Sequence, residues 1–453
     1  MKAVVAIAAA LAAVANAIAT PAKTEGAVTK RATGSLPTVT VKGNAFYAGE
    51  DRFYIRGIDY QPGGSSDAAD PLSDRQTCDR DIQKFKELGV NTVRIYTVDN
   101  SKSHDYCMNA LAQAGIYLAL DVNSPDYSIN RDDPATSYND AYLQSVFATI
   151  DAFADYDNTL LFFSGNEVIN ADNNTDCAPY IKATTRDMKQ YIGSMGYRQI
   201  PVGYSAADVE SNRFEMAEYM NCGTDDQRSD FFAFNDYSWC DPSSYSQSGW
   251  DQKVEQYSSY SIPLFLSEYG CITNKRQFQE VATLYSSQMT SVYSGGLVYE
   301  YSEEGSGYGL VTINGNSAPV EKSDFKALMQ AFSETKSPAG AGGAKPNGSP
   351  SQCPKRSKTW EVTDFQGADL PSIPTAAQKY MSKGAGKAPG LNGPGSQNAG
   401  GTSTGTAKAG SGQVSPSGSS AANSLLRPDK SFKPLGACGT AVFLSILLGA
   451  ALF

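Results

Sequence analysis

The sequence predicts an α/β fold, a (β/α)8 TIM barrel, on three observations. Short apolar runs of strand character alternate with helical patterns eight times between Phe53 and Phe332. The runs are continuously apolar, as parallel strands covered on both faces should be. Two of them, Leu160–Glu167 and Pro263–Gly270, end alike, each delivering a carboxylate where the chain leaves the sheet: Glu167 and Glu268. A doubly wound open sheet is the competing architecture. It is disfavoured because no Gly-x-Gly-x-x-Gly follows the first strand; Gly57 and Gly63-Gly64 lack that spacing.

In order, Val39–Val41 and Ala45–Ala48 read as a hairpin closing the barrel floor. Phe53–Tyr60 is the first strand. A helix over Cys78–Leu88 follows, with Ile82, Phe85 and Leu88 at helical spacing and Gly89 as its stop. Thr92–Val98 is the second strand, followed by a helix at Tyr106–Ala114. Tyr117–Val122 is the third, and a helix at Tyr138–Ala154 leads to the fourth, Leu160–Gly165. Tyr180–Ile192 is an amphipathic helix before the fifth strand, Ile200–Tyr204. Phe231–Asn235, Pro263–Ser267 and Gly296–Tyr301 complete the eight. A long helix, Arg276–Tyr293, joins the last two, and Phe325–Phe332 supplies a final one.

The chain has 453 residues, 19% of them charged, with a net charge of −10, which makes nucleic acid a poor partner. Its one histidine, His104, is expected on a helix surface; a His-rich zinc site is excluded, and a Ser-His-Asp triad would rest on that residue alone. No metal or cofactor is expected, and acid–base chemistry falls to carboxylates. The 26 Tyr, against 3 Trp, include flat faces with polar tips suited to sugar rings.

Both ends carry addressing signals. Residues 1–19 read as a secretory signal peptide, with Lys2, an apolar run and small residues at Ala15-Asn16-Ala17 or Ala17-Ile18-Ala19. Residues 20–33 would be trimmed at Lys30-Arg31, and the barrel occupies 34–335. An extension, 336–383, holds Cys353, Trp360, Phe365 and Tyr380 and is expected to be stapled back. Residues 384–422 are mostly Gly, Ser, Ala, Thr and Pro. With so little apolar surface to offset ordering entropy, they predict a disordered Ser/Gly-rich stalk. Small residues, a spacer at Leu425–Pro434 and the apolar tail Leu435–Phe453 make 423–453 the removed signal for a glycosylphosphatidylinositol anchor, attached at Ala422 or Asn423. The expected place is the outer face of the plasma membrane and the cell wall. Asn173 and Asn347 head N-glycosylation sequons. Of 8 Cys, Cys438 lies in the removed tail, and the odd remainder leaves connectivity open.

Catalytic groups of such barrels gather at the C-terminal strand ends. Those ends read Tyr60-Gln61, Tyr96, Asp121-Asn123, Asn166-Glu167, Tyr204, Asn235-Tyr237, Glu268-Tyr269 and Tyr299-Tyr301. Two carboxylates ringed by Tyr, Asn and Gln describe a carbohydrate site. Glycosidic cleavage needs one carboxyl protonated for the leaving oxygen and one ionised to attack carbon or activate water.

The strings Arg56–Gly63, Arg94-Ile95-Tyr96, Gly165-Asn166-Glu167, Ser267–Cys271 and Gly295–Tyr301, in this order, resemble the fungal β-1,3-glucanosyltransferases of glycoside hydrolase family 72. The resemblance spans about Thr38 to Phe332 and agrees with the anchor and stalk. It implies a retaining transglycosylase that cleaves an internal β-1,3-glucan linkage and passes the new end to the non-reducing end of another glucan, remodelling the wall. Its partners would be donor and acceptor glucan chains and, through the anchor, a membrane, with the protein a monomer. Glu167 would be the general acid/base and Glu268 the nucleophile. Asn166, Tyr96 and Tyr299 would contact the donor sugar, with Gln61, Asp121, Tyr237 and Tyr308 as lesser contacts and Asp208 and Arg213 on the acceptor side. The family's disulfides would join Cys78 to Cys107, Cys222 to Cys353 and Cys240 to Cys271, leaving Cys177 unmatched. The alternative readings are an endo-β-1,3-glucanase using the same carboxylates and a non-catalytic anchored glucan-binding protein.

Overall fold

The computed structural model describes residues 36–66, 68–363 and 369–408. The signal peptide, the trimmed segment and the anchor signal with Ala422 and Asn423 lie outside the described residues. Eight parallel strands close into a barrel: β1 (Ile55–Asp59), β2 (Thr92–Ile95), β3 (Tyr117–Asp121), β4 (Thr159–Asn166), β5 (Val202–Ala207), β6 (Phe231–Asp236), β7 (Leu264–Tyr269) and β8 (Tyr293–Val298). Closure is made where Gly295–Val298 of β8 pairs with Ile55–Ile58 of β1. The α-helices of five or more residues are α1 (Arg75–Leu88), α2 (Asp105–Gln113), α3 (Asp140–Phe153), α4 (Ala178–Ser194), α5 (Arg213–Met220), α6 (Trp250–Gln256), α7 (Glu280–Leu284) and α8 (Ser323–Glu334). None among the described residues is long and apolar enough to cross a membrane.

Local chemistry explains the boundaries. Asp74 caps α1 by accepting from the Thr77 amide at 2.7 Å, and Gly89 ends it in the left-handed conformation at φ 73°. Between those caps Ile82, Phe85 and Leu88 turn inward.

The barrel axis is layered. At the bottom a three-stranded sheet, Val39–Lys42, Ala45–Ala48 and Asp51–Phe53, inserts Phe46 as a plug against Phe231 and Phe265, with ring centroids 6.2 and 5.9 Å away. Phe163 packs edge-on to Phe231 at 5.3 Å and completes an aromatic floor. The Arg94 guanidinium lies 4.4 Å above the Phe163 ring. From that level upward the lining turns polar.

Four expectations are corrected. The first strand is interrupted at Tyr54, so Asp51–Phe53 belongs to the floor and β1 begins at Ile55. The long helix over Arg276–Tyr293 shrinks to Glu280–Leu284, ending at Tyr285, and Phe278 at φ 56° bars a right-handed helix from starting earlier. The unwound segment lets a buried Arg276 pair with Asp324 at 2.7 Å and donate to the carbonyls of Tyr299 and Tyr308. His104 is buried, not on a helix surface; Nε2 lies 2.8 Å from Asp70 Oδ2 and its ring packs on Phe153. Finally, the chain stays packed beyond Gly384, as far as Lys408.

Three disulfides are present, Cys78–Cys107, Cys222–Cys353 and Cys240–Cys271. Cys177 is free and buried, its Sγ 3.3 Å from the Arg131 carbonyl. The 222–353 bridge ties the extension to the end of α5, and Trp360 buries itself beside Tyr219. Ala385 and Ser396 are fully buried, and Thr406–Lys408 pairs antiparallel with Asp369–Pro371. The remainder of the Ser/Gly stretch, 409–422, lies outside the described residues. Asn173 and Asn347 are both exposed.

Candidate active site

The two carboxylates stand at the upper rim in different settings. Glu268, near the end of β7, is buried, with 8% of its surface exposed. Tyr96 Oη donates to its Oε1 at 2.8 Å and Tyr237 Oη to its Oε2 at 2.7 Å, while Arg94 NH1 lies 3.5 Å from Oε1. Burial pushes the Glu268 carboxyl up from 4.5 to about 7, against the pull of Arg94 and both tyrosines and with the push of Glu167. The three donors favour the carboxylate form and fix both of its oxygens.

Glu167 is half-buried and follows β4 directly. Its backbone is left-handed, at φ 47°, a conformation costly for a side chain with a Cβ. Two bonds hold it there: its amide donates to the Ser205 carbonyl at 2.9 Å, and Arg131 donates to its carbonyl at 2.8 Å. On the side chain, Asn235 Nδ2 donates to Oε1 at 2.7 Å. Asn235 is itself oriented by Ser267 Oγ, which donates to its Oδ1 at 2.8 Å. A short polar chain through Ser267 and Asn235 therefore connects the strand of Glu268 to the carboxylate of Glu167.

Beneath them Arg94, fully buried, grips Asp121 with Nε and NH2 at 2.9 and 3.2 Å. A buried guanidinium between the carboxylates of Asp121 and Glu268 supplies the positive charge that offsets their burial above an apolar floor. An open groove of about 280 Å3 runs from Tyr96 and Asn166 to Ser124, Ile129 and Arg131. On the other side Tyr237, Tyr308 and Tyr299 form an edge-to-face series with centroids 5.5 and 5.4 Å apart. Among the described residues no group of three or more His, Cys, Asp or Glu could hold a metal ion.

A family model described as Glucanosyltransferase, of glycoside hydrolase family 72, matches residues 28–336. The chain belongs to this glucanosyltransferase family. Among its relatives, 1,3-beta-glucanosyltransferase gel1 of Aspergillus fumigatus is 64% identical over 364 residues, covering 80% of each chain. The 1,3-beta-glucanosyltransferase GAS5 of Saccharomyces cerevisiae is 54% identical over 358 residues, 78% of this chain and 73% of that protein. A solved structure, Saccharomyces cerevisiae Gas2p in complex with laminaritetraose and laminaripentaose, superposes with a TM-score of 0.68 at 39% identity, covering 72% of this chain and 74% of that one.

In this glucanosyltransferase the remaining sequence-selected residues divide. Tyr96, Asn166, Tyr237, Tyr299 and Tyr308 surround the carboxylates, and Asn166 Oδ1 accepts from Ser205 Oγ at 2.7 Å. Gln61 is buried and brackets the rim: Oε1 accepts from the amides of Tyr96 and Thr97, and Nε2 donates to the Ala69 carbonyl. Asp121 lines the groove, and its two oxygens accept from Arg94. Asp208 pairs with Arg213 and also accepts from Lys253 Nζ at 2.8 Å, beside a separate cavity of about 660 Å3. Lys253 extends that network to Asp236 at 2.7 Å. Arg94, Asn235 and Ser267 were missed as functional residues. An arginine inside an otherwise apolar strand, Thr-Val-Arg-Ile, was the available signal, since a buried charge must have partners.

Proposed function

We propose that this protein is a β-1,3-glucan-remodelling transglycosylase acting with retention at the anomeric carbon. The observation that carries the reading is the unequal treatment of the two rim carboxylates. Glu268 has both oxygens held by donors and a guanidinium at its back, the setting of a nucleophile. Glu167 is more open and held by one amide, the setting of a group that must gain and lose a proton.

In the first step a Glu268 oxygen attacks the anomeric carbon of an internal linkage, and the bond from that carbon to the leaving O3 breaks. Glu167 gives its proton to that oxygen, and a glycosyl ester remains on Glu268. In the second step Glu167 takes the proton from the 3-hydroxyl at the non-reducing end of another chain. That oxygen attacks the same carbon, the ester breaks, and Glu268 leaves as a carboxylate. Arg94 and the hydroxyls of Tyr96 and Tyr237 stabilise the departing charge. The tyrosine series, Tyr237, Tyr308 and Tyr299, offers sugar rings an apolar face. We assign the donor sugars to the arm containing Tyr96 and the acceptor to the side of Asp208 and Arg213. Secretion and a lipid anchor at Ala422 or Asn423 would hold the enzyme where glucan is assembled.

The test is incubation with a reduced β-1,3-gluco-oligosaccharide and chromatography of the products. Products both shorter and longer than the substrate, lost in Glu167→Gln and Glu268→Gln, are expected. Shorter products alone would make it a hydrolase, and binding without turnover would make it a glucan-binding protein.

A further inference from the structure

The segment from Ala385 to Thr402 has the composition of a linker and the contacts of a structural part. Ala385 donates its amide to Tyr191 Oη at 2.8 Å, and Gln144 Nε2 donates to the carbonyls of Ala385 and Lys387. Farther on, the Gly390 amide bonds to Asn100 Oδ1 at 2.9 Å. Then the chain crosses the outer side of loop 124–131. Gly395 donates to Tyr127 Oη at 3.2 Å, Ser396 to the Asp126 carbonyl at 2.9 Å, and Gln397 Nε2 to the Ser128 carbonyl at 2.9 Å. Asn139 clamps the strap from α3's cap by donating to the Ser396 carbonyl at 2.6 Å.

The glycines record close approach. A Cβ on Gly393 would lie 2.1 Å from Tyr127 Oη, and one on Gly401 would lie 2.2 Å from Asp140 Oδ1.

The inner side of the same loop forms one wall of the groove, through Ser124, Pro125, Ser128, Ile129 and Arg131. Ser124 and Tyr127 exchange backbone bonds of 3.0 and 3.1 Å, making a tight turn with the strap behind it and the groove in front. Arg131 then reaches the carbonyl of Glu167.

We propose that the strap 385–402 is a positioning element of the catalytic unit: it fixes loop 124–131, and through it the grip on donor sugars remote from the bond that is cut. Its bearing on donor sugars rests on the function proposed above; its hold on the loop does not.

Gly393→Val in the full chain tests it, with Gly400→Val as the matched control, since a Cβ at Gly400 meets nothing within 4 Å. Three measurements are taken: tryptic cleavage at Lys387, amide exchange within 124–131, and kcat/KM for long and short donors. Gly393→Val is expected to speed cleavage after Lys387, to speed exchange in the loop, and to lower kcat/KM for long donors by roughly ten- to a hundredfold while sparing short ones. Gly400→Val behaves as the parent. Gln397→Ala, which removes one bond without adding bulk, shows the same pattern at smaller size. Unchanged loop exchange after the strap is freed, an unmoved strap, or equal losses on long and short donors would overturn the inference. If the parent turns over no β-1,3-glucan, the proposed function fails, and loop exchange still decides whether the strap holds the loop.

Discussion

Replacing Glu268 by Gln should make the folded protein more stable at pH 8 while abolishing turnover. Gln has the shape of the protonated acid but can never carry the buried charge. The Glu268 carboxyl is raised from 4.5 to about 7, chiefly by burial. The folded state therefore binds that proton more tightly than the unfolded chain does. The contribution to stability is complete below about pH 4.5, shrinks as the pH climbs toward 7, and is level above. At about 1.4 kcal/mol per unit, the loss across that window is about 3 kcal/mol. The Gln amide turns a donor toward one of the tyrosine hydroxyls, which must then accept, at a cost of about 1 kcal/mol. The net gain for Glu268→Gln is thus about 2 kcal/mol at pH 8 and about zero or slightly negative at pH 4.5. Thermal unfolding of both proteins from pH 4 to 8 reads this as a Tm difference of a few degrees that opens with rising pH. A difference that is constant with pH, or a variant less stable at pH 8, would refute the claim that Glu268 is ionised at the expense of the fold.

Other substitutions probe the supports. Asn235→Ala removes the amide on Glu167 Oε1 and should lower kcat roughly ten- to a hundredfold with little change in KM, read by steady-state kinetics. Tyr237→Phe takes a donor from Glu268, leaves burial less opposed, and should move the acid limb of the kcat/KM profile to higher pH by about half a unit to one unit. Arg94→Met strands Asp121 without its partner and should cost about 3–5 kcal/mol, seen as a lower denaturant midpoint. The double substitution Cys222→Ser, Cys353→Ser opens a loop of 131 residues and should cost about 4–5 kcal/mol by the same measurement.

The barrel was legible because its strands are apolar throughout, and Glu167 and Glu268 were legible because each ends such a run. What escaped notice depends on backbone atoms or on distant contacts. Gln61 was read by its side-chain chemistry, and its added hold on the amides of Tyr96 and Thr97 is invisible in the sequence. The Arg276–Tyr293 pattern is helical in its apolar spacing, and a left-handed residue, Phe278, breaks its start. His104 was placed at a surface by its polarity, although Asp70 lets it sit inside. An entropy argument from composition counted Gly393 and Gly401 as freedom, whereas both lie in close approach to neighbouring side chains, Tyr127 and Asp140.

The strap also changes a length. A tether measured from Gly384 to the proposed attachment at Ala422 would hold 39 residues, enough for about 140 Å of fully extended chain. The 24 residues from Ala385 to Lys408 are packed and remove about 85 Å from that reach. With the proposed anchor in place, that loss of reach would bring the enzyme's range closer to the lipid.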